Sequence, residues 1–278
     1  MGVSFPLRNT APGPIFPVFS MRMNLRLASL LTIAVLVVTN PVRAETAEEL
    51  IAKARAYLGS ENALNGVTTI HFTGVLEVMG SEPAADEKTP AKEKLEEFSM
   101  EIIFQKPYQQ QMIVNRPDSI DIMVLDDYDG WSKVTVRQNP KKWKMTLLDA
   151  EQIKQLRANT WENLSFFAGI ENRGGTVQGG DDVTVDGVPC VKLSFVHSAR
   201  ITFHRYFDKA TGRLVKTETA NGSEIREEGE ITVDGIRFPK KIVNKSATGQ
   251  VTTIIFDKVV LNERIPASEF AVPSMVSE

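Results

Sequence analysis

The chain has 278 residues, 42% of them hydrophobic and 24% charged, with a formal net charge of −3 and one cysteine. This is the composition of an ordinary globular protein, and it excludes fibrous, low-complexity and disulfide-stapled classes. Its mild acidity argues against nucleic acid as a partner.

Residues 1–44 read as a leader. Met21, Arg22, Met23, Asn24, Leu25 and Arg26 make a short basic start, an apolar run covers 27–38, and Val42 and Ala44 stand where a signal peptidase reads small residues. The expectation is an exported mature chain starting near Glu45, with residues 1–20 preceding a true start at Met21 or Met23. The apolar run is shorter than the roughly 20 residues a membrane helix needs, so the mature protein is expected to be soluble. The leader carries four basic residues and no acidic one, which leaves 28 basic against 35 acidic in the rest. An exported chain with one thiol makes no internal disulfide, and Cys190 reads as a small buried hydrophobe within a strand.

The mature chain opens on a helix. Thr46 and Glu49 have the spacing of a capping box, Leu50, Ile51, Ala54, Tyr57 and Leu58 share one face, and Gly59 ends it. A long strand follows at 67–79. Residues 80–97, charged and proline-bearing, read as a flexible insertion that cannot bury enough surface to offset its ordering. Strands resume at 98–104, 109–115, 119–126 and 131–138, with turns at Arg116-Pro117-Asp118 and Asp129-Gly130.

Asp149 and Gln152 mark the cap of a second helical region, with Leu148 and Ile153 placed as a hydrophobic staple. Ile153, Leu156, Thr160, Leu164 and Phe167 trace one face, widened by Trp161, Phe166 and Ala168. One helix, or two broken near Thr160, would be apolar enough to act as a lid or to plug the end of a barrel. Residues 171–182, with two Gly-Gly pairs, read as a linker between two halves of one sheet. The second half is punctuated by Asp186-Gly187, Thr211-Gly212, Asn221-Gly222, Asp234-Gly235 and Thr248-Gly249, the residues that tight hairpin turns require. The fold class is therefore mainly β with helices (α+β), an incomplete antiparallel β-barrel of about eleven strands enclosing or covered by apolar helices.

Chemistry has no visible carrier in this pattern. His71, His197 and His204 lie far apart in predicted strands without metal-ligand spacing, so no metal and no cofactor is expected. The 126–130 stretch resembles part of a calcium loop but lacks its first ligand and its terminal Glu. Glu227 and Glu228 are adjacent in a strand and point to opposite faces, which spoils them as an acid/base pair. A curved sheet with an apolar inner face and an apolar cover is a container. Its candidate walls are Phe98, Met100, Ile102 and Phe104 from one strand, with Leu156, Trp161, Leu164, Phe166 and Phe167 from the helical cover. Ordinary core packing accounts for the same residues equally well.

The runs YFDKATGRLVK (206–216), VDGIRFPKKI (233–242) and VVLNERIPASEFAVP (259–273), in that order behind an exported helix ending Tyr57-Leu58-Gly59, resemble periplasmic outer-membrane lipoprotein-sorting proteins of the LolA/LolB-like superfamily. The similarity spans essentially the whole mature chain and rests on turn and strand signatures. It implies an incomplete antiparallel barrel wrapped around helices, a periplasmic location and a hydrophobic cavity. It further implies that the cavity shelters lipoprotein acyl chains or another amphiphile, with an inner- or outer-membrane protein as partner. Members of the superfamily also serve as envelope-stress sensors, so a protein-interaction module without lipid cargo is the alternative, ahead of an enzyme.

Overall fold

The computed structural model describes residues 45–81 and 93–273. The leader reading, the centre of the charged insertion and the last five residues lie outside this set. Two helices come first, α1 (Ala47–Leu58) and α2 (Glu61–Asn65). The capping box of α1 is formed in both directions, Glu49 N–H donating to Thr46 Oγ1 at 3.2 Å and Thr46 N–H to Glu49 Oε2 at 2.8 Å.

Among the described residues thirteen strands form one antiparallel sheet. In chain order they are β1 (Thr69–Ser81), β2 (Glu93–Gln105), β3 (Gln109–Asn115), β4 (Ser119–Asp126), β5 (Asp129–Val136), β6 (Trp143–Leu147), β7 (Thr176–Val185), β8 (Val188–Ser198), β9 (Ile201–Asp208), β10 (Leu214–Thr219), β11 (Glu224–Val233), β12 (Ile236–Lys245) and β13 (Val251–Leu261). The spatial order is β6-β5-β4-β3-β2-β1-β13-β12-β11-β10-β9-β8-β7, two meanders joined where β1 pairs with β13. Helix α3 (Ala150–Ser165) connects the meanders.

The sheet curls around its helices. Helix α1 packs against both β7 and β12. Those strands are five ladder steps apart, about 24 Å across a flat sheet, more than twice the width of a helix. Only a strongly bent sheet brings both to one helix. The bend is assisted in β1, where the register shifts between Thr73 and Gly74. A Cβ on Gly74 would sit 2.0 Å from the Ile255 carbonyl oxygen, so only glycine allows β13 to approach this closely.

Strand alternation decides what faces inward. Ile201, Phe203, Arg205 and Phe207 are buried along one parity of β9, and Val191, Leu193 and Phe195 along β8. The apolar ones among them join Leu50 and Ala54 of α1 in one core cluster. A second cluster gathers Ile70, Phe72, Phe98, Met100, Ile102, Phe104, Phe238 and Phe256 beneath Leu164 and Phe166. On the opposite side of the first meander Phe270 is fully buried against Trp131, Val124 and Ile103.

The sequence expectations are corrected at four places, and one alternative is decided at α3. There are thirteen strands and not eleven, because β6 and β7 are edge strands that bury almost nothing and so lack apolar alternation. The supposed linker at 171–182 is a 3-10 turn (Ile170–Arg173) and then β7, whose Gly179 and Gly180 occupy a β-bulge against β8. The insertion expected over 80–97 is shorter: β1 runs to Ser81 and β2 starts at Glu93, paired from Glu77↔Glu97 to Ser81↔Glu93. Lys94, Glu96 and Glu97 carry charge where this end of the ribbon is exposed, with Leu95 exposed among them. Helix α3 is unbroken at Thr160, and its start carries the expected box, Asp149 with Gln152. The β4–β5 turn falls at Asp127-Tyr128, with Asp127 in the left-handed region (φ 53°), and Asp129-Gly130 already belong to β5.

Candidate functional site

The concave side of the sheet holds a cavity of about 400 Å³. Its apolar wall comes from Ile70 and Phe72 of β1, Ile102 and Phe104 of β2, Phe238 and Ile242 of β12, and Ile254 and Phe256 of β13. Phe72 is the centre of an aromatic floor, with ring centroids 4.5 Å from Phe256, 5.8 Å from Phe238 and 6.3 Å from Phe104. Such edge and tilted contacts add to area burial and hold the rings in place.

The opposite wall is polar. Asn159, Glu162 and Asn163 come from α3, Arg205 from β9, Thr217 from β10, Glu227 from β11 and Asn244 from β12. Helical spacing explains the first three, since positions i, i+3 and i+4 share a face. The face that α3 turns to the cavity is thus one with two amides and a carboxylate, and the apolar stripe expected from Ile153 and Leu156 lies to its side. This corrects the expectation of an apolar cover.

Glu162 is the hub of the polar wall. Its Oε1 contacts His197 Nε2 at 2.5 Å and its Oε2 pairs with Arg205 Nη1, all three side chains being buried. Arg205 lies between the rings of Phe167 and Phe195, its guanidinium carbon 4.7 and 4.8 Å from their centroids. Glu227 keeps some accessible surface, but that surface faces the cavity and an adjoining cleft. Burial pushes its carboxyl above the usual carboxylate range, and the nearby charge of Arg205 partly counteracts this.

The end of α3 is held by a residue from α1. Arg55, 5% exposed, donates from Nη1 to the carbonyls of Ser165 and Phe166, each at 2.9 Å, and forks onto Glu61 at 2.7 and 2.6 Å. Carbonyls at a helix C-terminus lack partners within the helix, and a cation there also offsets the helix dipole. Arg55 in turn holds the Glu61 carboxyl below its usual range. Phe166 and Phe167 follow in left-handed conformations (φ 49° and 72°), which turn both rings under the helix and into the cavity wall.

A cleft of about 180 Å³ shares Leu58, Leu214, Glu227, Arg237, Phe238 and Pro239 with the cavity and adds Tyr57, Arg213, Gly229 and Glu230. Glu230 accepts from Tyr57 Oη at this mouth, and the Arg237 guanidinium stacks 4.8 Å over the Tyr57 ring. Burial, and then Glu230, push the Tyr57 hydroxyl above its usual range. A hollow of about 520 Å³ outside α1 is larger but open to solvent, and it does not reach the aromatic floor.

Of the residues expected to line a cavity, Ile102, Phe104, Phe166 and Phe167 do so. Phe98, Met100 and Leu164 belong to the core cluster beside it. Trp161 packs in the other cluster, its ring 5.5 Å from His197, and Leu156 is half-buried away from the cavity wall. Arg205, Glu162, Glu227 and Asn244 were missed. The available signal was Arg205 itself, a charge on the apolar parity of its strand.

No family model matches the chain, and no curated protein matches it in sequence. Among solved structures it resembles a LolA superfamily protein of Nitrosomonas europaea, with 13% identity, a TM-score of 0.52 and coverage of 82% of this chain and 98% of that one. A domain of Vibrio parahaemolyticus described as an outer membrane lipoprotein-sorting protein gives 11% identity, a TM-score of 0.52 and coverage of 82% and 97%. With an open, thirteen-stranded antiparallel sheet bent around its helices, the chain has the LolA-like fold.

Proposed function

We propose that this protein is an exported binding or carrier protein that shelters acyl chains, of lipoproteins or of another amphiphile, in the cavity under α3. The observation that carries this reading is the aromatic floor around Phe72, in a preformed hollow of about 400 Å³ on the concave side of a sheet. Each methylene moved there from water contributes about 0.8 kcal/mol, which is what an acyl chain needs to cross an aqueous compartment. The leader-like start and the sorting role named for the Vibrio parahaemolyticus domain support a periplasmic setting. Among the described residues no helix is long and apolar enough to cross a membrane. The cavity works by burial, and no enzymatic step is assigned to it. Titration with a fluorescent long-chain fatty acid tests the reading: saturable binding is expected, weakened at least tenfold by Met112→Glu in the cavity wall. Absence of saturable binding by the folded wild-type protein would overturn it.

A second reading has its own observation. Edge strand β6 exposes Trp143 and Leu147, which share one face of the sheet. An unpaired edge with exposed apolar side chains is a template for strand addition by a partner protein, as an envelope-interaction module would use.

A further inference from the structure

The polar wall is not needed to shelter hydrocarbon, and its chemistry describes the other end of the occupant. Across the sheet Arg205 stands opposite Thr217, Thr217 opposite Ile225, and Ile225 opposite Asn244. Glu227 is two residues from Ile225 and therefore on the same face. All five line the cavity.

Arg205 is only 7% exposed, yet its Nε–H has no hydrogen-bond partner among the described residues, and neither does Asn244 Oδ1. Folded proteins pair nearly all such buried groups, so an orphan donor beside a cavity points to something that enters it. Arg205 meets three aromatic rings and one carboxylate, and that carboxylate is shared with His197. Its remaining donors suit a planar two-oxygen acceptor, the geometry at which guanidinium excels.

We propose that Arg205, with Thr217 and Glu227 beside it, forms a headgroup subsite, and that the occupant is a single-chain amphiphile with a carboxyl head. This rests on reading the cavity as an acyl-chain container and narrows what it contains. The tail lies on the aromatic floor and the carboxyl oxygens accept from Arg205. Glu227, kept protonated more readily by its burial, adds a donor instead of a repelling charge. The volume agrees: about 400 Å³ is near the low end of ligand cavities, roughly 300–1,000 Å³, and has room for one chain and not three.

The test is calorimetric titration of the full chain with laurate and with 1-dodecanol, equal in length and different in head. Laurate is expected to bind at least tenfold more tightly. In the paired variant Glu162→Gln/Arg205→Met, which leaves neither charge buried alone, the preference should vanish while dodecanol binding persists. Arg205→Lys keeps a charge opposite Glu162 but loses the fork, and should lower the preference several-fold. Equal wild-type affinity for the two ligands, or a preference unchanged in the variants, overturns the headgroup subsite and leaves the container standing. Failure of the folded protein to bind either chain overturns the container, and the subsite with it.

Discussion

Glu162 of α3 and Arg205 of β9 meet as an ion pair inside the protein, 6% and 7% exposed. They join the connecting helix to the second meander at the point where both border the cavity. A buried pair adds little net stability compared with apolar replacements, but loss of one partner strands the other in a medium of low dielectric. Glu162→Gln is therefore expected to destabilise the fold by about 3 kcal/mol or more. Adding Arg205→Met should recover much of that loss, as chemical denaturation of the three variants will show.

Glu227 gives a pH dependence whose sign is fixed. Its folded-state carboxyl titrates above its unfolded value, chiefly through burial, and Arg205 is the charged group that faces it. Between the two values the folded state binds more protons than the unfolded one, so stability falls as pH rises through that window. Thermal unfolding should show Glu227→Gln gaining stability over wild type at pH 8 and losing that advantage near pH 4.

Close approach of β1 and β13 depends on a missing side chain. Gly74→Ala would set its Cβ 2.0 Å from the Ile255 carbonyl oxygen and 2.9 Å from the Phe256 Cα, both backbone atoms. The strands must separate where the two meanders join, at a cost of about 1–3 kcal/mol or more. A lower denaturation midpoint with an unchanged slope is the expected result.

Cys190 is fully buried with Val185, Tyr206 and Val215, and burial, then the charge of Asp208, push its thiol above the usual range. Ellman's reagent at pH 8 should leave the native protein unmodified and react once it is unfolded in guanidinium.

Much of this fold was legible because its signals are local. Asp186-Gly187 and Asp234-Gly235 each take positive φ at both positions, as two-residue hairpin turns demand. The two capping boxes are likewise contained within four residues. What escaped was non-local. Alternation along β9 sets Arg205 on the parity of Ile201, Phe203 and Phe207, but only packing of α3 shows that Glu162 meets it. Strands β6 and β7 escaped for the opposite reason: as edges they bury too little to alternate. Helical periodicity made Leu156 and Trp161 look like cavity walls, yet the bend of the sheet gave that position to Asn159 and Asn163.

Native mass spectrometry decides most directly whether the cavity carries lipid. The protein, expressed from its full sequence in a Gram-negative host and recovered gently from the periplasm, is expected to show a population heavier by the mass of an acyl-bearing molecule. Met112→Glu should deplete that population. A bare protein mass, unchanged after incubation with a long-chain fatty acid, would contradict the carrier function.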